Sequence, residues 1–124
     1  MSSTATAALA DFLDEKARRV KAIETEAQAV IHSKGDQSGY EALMRQKAEL
    51  LAALEQEALP LIKTLGPGLA DAAGERLAGF SQNAGNALRI GSVFYMSALL
   101  YPDEHKPGEP NNLELLAAEV RGWA

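Results

Sequence analysis

Residues 34–65 read KGDQSGYEALMRQKAELLAALEQEALPLIKTL, and this stretch decides the fold. A Gly35-Asp36 pair ends one helix and Ser38 and Gly39 lead into the next. Tyr40, Leu43, Met44, Lys47, Leu50, Leu51, Leu54, Leu61 and Leu65 then recur at three- and four-residue intervals. That spacing keeps one helix face apolar over several turns. Such a face packs on another helix, and nothing in it suggests a pocket for chemistry. Pro60 cannot donate to the carbonyl of Gln56 and its ring crowds that turn, so a kink or an end is predicted there.

The chain before the turn has the same character. Leu9, Lys16, Ile23 and Val30 repeat every seven residues, with Leu13, Val20 and Ala27 interleaved, which is the coiled-coil period. Two such helices joined by a short polar turn lie antiparallel, as an αα-hairpin. Leu51 and Leu54 are expected to be buried between them.

Gly66, Pro67 and Gly68 punctuate the end of the second helical run, and Pro67 suits the start of the next helix. From Leu69 the apolar positions Ala73, Leu77, Phe80, Ala84, Leu88, Gly91, Tyr95 and Ala98 predict one helix of about 33 residues, near 50 Å long. Gly74, Gly79, Gly85 and Gly91 lie within it, each costing about 1 kcal/mol against alanine. Such a helix persists where its small residues pack tightly on the hairpin; otherwise it breaks at a glycine. Near its end, in RIGSVFYMSALLY, apolar side chains fall on nearly every side, more than one contact with the hairpin can bury. Leu88, Phe94, Tyr95, Met96, Leu99 and Leu100 are therefore the candidate protein-binding residues. Flexible thioethers such as those of Met44 and Met96 repack readily around varied partners.

PDEHKPGEPNN reads as an extended, mobile linker. Asn112 is placed to cap a short helix with Leu113, Leu116, Ala117 and Val120 on one face. A helix this short must dock to persist, either on the apolar end of the third helix as an internal stand-in for a partner, or on a second copy as the contact of a homo-oligomer. The organisation expected is thus a hairpin and third helix over 1–101, a linker over 102–112 and an amphipathic helix over 113–124, an all-α three-helix bundle with a short C-terminal helix.

The composition fits that class. The 124 residues suit one domain, with 47% apolar but only 6% aromatic residues, the difference being alanine and leucine. No cysteine is present, so disulfides, thiol nucleophiles and thiolate metal sites are excluded. A net charge of -5 argues against nucleic acid, whose phosphates need a basic face. Arg18, Arg19 and Lys21 are interleaved with Asp14, Glu15, Glu24 and Glu26, as on a solvated, ion-paired face. The start lacks the basic and apolar regions of a signal peptide. The run from Val93 to Tyr101 is about half of what a membrane span requires. A cytoplasmic location is expected.

His32 and His105 have no partner at metal-binding helical spacing, no phosphate-cradling loop is present, and Ser81, Ser92 and Ser97 have no histidine nearby in sequence. No metal, cofactor or catalytic residue is assigned and no enzyme is expected.

The turn KGDQSGYEAL, the following LMRQKAELLAALE and the stretch LAGFSQNAGNAL resemble the FlgN-like family of flagellar export chaperones, over about residues 9–100. Asp36, Leu43, Lys47, Leu50, Leu51, Leu54, Asn83 and Leu88 carry the resemblance. It implies a chaperone that covers C-terminal amphipathic segments of hook-filament junction proteins before type III export, with no cofactor. The heptads support equally a coiled-coil adaptor or oligomerising module without an export role.

Overall fold

The computed structural model describes residues 2–123. Among them the chain forms six α-helices: α1 (Ser2–Lys34), α2 (Gln37–Ala52), α3 (Leu54–Ile62), α4 (Pro67–Ile90), α5 (Val93–Ala98) and α6 (Asn112–Arg121). The all-α class read from the sequence is the class observed, and no strand occurs among the described residues.

The decisive turn is tighter than the sequence suggested. Gly35 takes a left-handed conformation (φ +60°) and the Asp36 N–H returns to the Val30 carbonyl at 3.0 Å, closing α1. Asp36 then caps α2, accepting from the Gly39 N–H at 2.9 Å. Ser38 and Gly39 thus belong to the first turn of α2 rather than leading into it. A side chain at Gly39 would crowd the Asp36 carboxylate as it stands and make it shift.

α2 and α3 are one helical run interrupted at Ala53. The sequence pointed to Pro60, but α3 carries Pro60 inside it and ends two residues later at Ile62. The cause lies on another helix. The Ser81 hydroxyl of α4 donates to the Leu51 carbonyl at 3.0 Å and accepts from the Glu55 N–H at 3.1 Å. It stands between the two groups that would bond directly in a regular helix, and a side chain inserted in the ladder is a recognised cause of helix breaks.

The third helix is also shorter than expected. α4 spans 24 residues, about 36 Å, and stops at Gly91 (φ +76°), whose N–H returns to the Ala87 carbonyl at 2.9 Å. Ser92 restarts the helix by accepting from the Tyr95 N–H at 3.1 Å. A methyl at Gly74, Gly79 or Gly85 would meet no atom within 4 Å, so these glycines are not points of close packing.

Two adjoining cores result. The larger gathers Leu9, Leu13 and Val20 of α1, Leu51, Leu54 and Ile62 of α2 and α3, Leu77 of α4, and Leu113, Leu116 and Val120 of α6. The smaller joins Ala27, Leu43, Met44, Ala48, Ala87 and Met96, with Ile23 and Val30 half-buried beside it. The α1 heptad positions are therefore interior or nearly so. Lys16 is the one charged residue in this set, with its ammonium 5.4 Å from the centre of the Phe12 ring and paired with Glu57 at 2.8 Å.

α6 packs along α1, its apolar face fully used within the chain. Asn111, not Asn112, is its cap: Asn111 Oδ1 accepts from the Glu114 N–H and Glu114 Oε1 from the Asn111 N–H, each at 2.9 Å. Arg121 reaches Asp11 and Asp14, and Lys21 reaches Glu114 at 3.1 Å. The segment from Leu99 to Asn111 is a chain of turns, with His105 N–H on the Pro102 carbonyl, Glu109 N–H on that of Lys106 and His105 edge-on to Tyr101.

Candidate functional site

α5 is six residues long, so it can bury only one side. It rests on α2 and α4, which puts Met96 inward, wholly buried, and leaves Phe94 and Tyr95 outside at 74% and 54% exposure with ring centroids 5.8 Å apart. Ile90, one residue before the break, is 59% exposed. Beside them runs a groove of about 400 Å³, walled by Asn83, Asn86 and Ile90 of α4 on one side and by Tyr95, Leu99 and Tyr101 on the other. A second depression of about 440 Å³ shares Asn83 and Asn112 with it and continues past Phe80 and Leu115 to Arg76.

The six candidate binding residues are thus divided. Phe94 and Tyr95 face solvent, Leu88 and Leu99 are half-buried against the smaller core, and Met96 and Leu100 are interior in this conformation. Leu100 is turned inward by a left-handed backbone (φ +77°), unusual for a residue with a branched side chain. Ile90 and Leu115 were missed. Ile90 adjoins the helix-ending Gly91, and the exposure of Leu115 depends on how α6 is seated.

Of the surface that the C-terminal helix was expected to cover in part, Phe94 and Tyr95 stay exposed, whereas Leu100 is buried in the same core as Leu113 and Leu116, with Leu99 packed against it. α6 lies on α1 because its buried stripe of Leu113, Leu116, Ala117 and Val120 completes the larger core. Removing it would open that core.

A polar cluster lies under α5. Lys47 projects from α2 with its side chain fully excluded from solvent, pairs with Glu24 of α1 at 3.0 Å, donates to the Ser97 carbonyl at 2.9 Å, and sits 5.0 Å from the centre of the Tyr101 ring. Tyr101 in turn donates to Glu24 at 2.6 Å. Burial lowers the Lys47 pKa, with Glu24 opposing it. Burial, reinforced by Glu24, pushes the Tyr101 pKa well above its usual value. Glu24, Tyr40, Met44, Ser97 and Tyr101 line a small pocket of about 260 Å³ at the cluster's edge. The sequence placed Lys47 on the packed face of its helix; its partners, distant in the chain, were not legible.

The serines have backbone roles. Ser81 bridges α2 and α3, Ser92 caps α5, and the Ser97 hydroxyl donates to the Phe94 carbonyl at 2.7 Å. His32 bonds Gln28 and His105 bonds the Glu109 carbonyl, each at 2.8 Å. Among the described residues no group of three His, Asp or Glu could hold a metal, and no helix is long and apolar enough to cross a membrane.

No protein-family model, curated protein or solved structure matches this chain.

Proposed function

We propose that this chain is a protein-binding module that receives an amphipathic helix of a client along α4 and α5. One observation carries the reading. Among the described residues, three of the five exposed large hydrophobics, Ile90, Phe94 and Tyr95, fall within six positions; Ile90 and Tyr95 line the first groove and Phe94 lies against Tyr95. Apolar surface gathered at a concave site marks an interaction surface, whereas single exposed side chains do not. A helix laid there would place anchors at i, i+3, i+4 and i+7. Ordering a disordered client costs free energy, so binding is moderate and reversible.

The narrower reading is export chaperoning in the cytoplasm, with C-terminal segments of hook-filament junction proteins as clients. It rests on the resemblance of residues 34–55 and 77–88, within about residues 9–100, to FlgN-like chaperones. The test is a titration of a fluorescent peptide from such a C-terminus against the full chain and against Ile90→Ser/Phe94→Ser. Saturable binding, weakened about tenfold or more in the double variant with an unchanged melting temperature, is expected, since both side chains are exposed. Absence of binding by the native chain would reject the chaperone reading in favour of an adaptor or oligomerising module.

A further inference from the structure

We infer that α5 is a hinged flap, clamped shut by Lys47 with Glu24 and Tyr101 bracing that lysine and the far side of the hinge, and free to swing about Gly91 and Leu100. Its opening widens the docking groove, a consequence that rests on the proposed docking role. Both ends of the flap are left-handed, Gly91 at φ +76° and Leu100 at φ +77°. Glycine accepts that conformation freely, but leucine holds it only where surrounding contacts impose it. Those contacts converge on the flap's end: Lys47 donates to the Ser97 carbonyl, Tyr101 donates to Glu24, and the Leu100 carbonyl accepts from the Asn112 N–H at 3.0 Å. Within α5 itself only Met96 is fully buried, with Val93 half-buried beside the same core, so the apolar seat is narrow and the Lys47 bond to the Ser97 carbonyl adds to it. Tyr95 and Leu99 line one side of the groove and Asn83 and Ile90 the other, so a swing of α5 moves one wall alone.

The chain has no cysteine, so single thiols report without background. Met96→Cys places a thiol under the flap and Val20→Cys one in the larger core, both at positions without solvent exposure. Each is reacted with a thiol reagent in the native background and with Lys47→Met, which keeps the bulk of the stem and leaves Glu24, 21% exposed, free to turn to water. Lys47→Met should speed labelling of the flap thiol roughly tenfold or more, as for loss of one charge-assisted hydrogen bond, while the core thiol stays protected. Tyr101→Phe, a milder change, should act in the same direction. Equal acceleration at both thiols would mean global loosening, and an unchanged rate at the flap thiol would mean that no clamp exists; either overturns the flap. This assay contains no peptide, so its failure leaves the docking proposal standing. Gating is read separately, as a several-fold change in affinity for the fluorescent peptide in Lys47→Met. If the flap thiol becomes reactive but affinity does not change, the groove is not gated.

Discussion

Lys47 meets Glu24 at 3.0 Å with its own side chain wholly buried while the Glu24 side chain is 21% exposed. The asymmetry makes the two deletions unequal. Glu24→Ala leaves a buried ammonium without its counter-charge and should cost about 3 kcal/mol or more. Lys47→Met leaves a carboxylate able to rehydrate and should cost distinctly less. Urea denaturation of both variants checks the order, and a larger loss in Lys47→Met would contradict this account.

The same cluster fixes an alkaline profile. Lys47 is lowered in the folded state, so the folded chain gives up that proton before the unfolded one, and stability rises with pH until the unfolded lysine also titrates, near 10.5. Tyr101 is raised, so its contribution is fully present below the unfolded tyrosine value of about 10 and is lost as pH climbs beyond it. Denaturation between about pH 8 and 11.5 should show a steeper fall above 10 in the native chain than in Tyr101→Phe. Superimposable curves would remove Tyr101 from the explanation.

Ser81→Ala withdraws the hydroxyl that links the Leu51 carbonyl to the Glu55 amide. Both groups are part-buried, and the packing that separates them remains. A loss of about 1–2 kcal/mol is expected, together with faster hydrogen exchange at Glu55. If instead exchange slows there and stability rises, α2 and α3 have closed into one regular helix, and the serine is what kept them apart.

These residues also show what the sequence could and could not say. The faces of α1, α2, α3 and α6 were legible because helical periodicity is local and Leu9, Leu13, Leu51, Leu54, Leu113 and Leu116 obey it. The break at Ala53 was not, since its cause, Ser81, is 26 residues from Glu55 and reaches it only after folding. Pro60 drew the expectation of a kink or an end because its effect is written into its own chemistry, and α3 carries it and ends two residues later. Lys47 was read only as one position on the packed face of its helix, because the Ser97 carbonyl to which it donates lies 50 residues further along the chain. For the proposed docking surface, the apolar excess at the end of the third helical run pointed to Phe94 and Tyr95, while the burial of Met96 and Leu100 followed from the seat of α5 and the turn at Leu100.

Gly85 and Gly91, six residues apart, should respond oppositely to alanine. At Gly85 the helix is regular and an added methyl meets nothing within 4 Å, so the gain is the lower backbone entropy of the unfolded chain. Gly85→Ala should stabilise by about 0.5–1 kcal/mol. At Gly91 there is equal room, but φ is +76°, a region where a Cβ crowds the following carbonyl. Gly91→Ala should therefore destabilise by about 1 kcal/mol or more, or drive the break to relax toward the continuous helix that the apolar periodicity alone would form. Thermal melts separate the signs, and circular dichroism detects any added helix. Stabilisation at both positions would mean that the turn at Gly91, and with it the placement of α5, is not imposed by the rest of the fold.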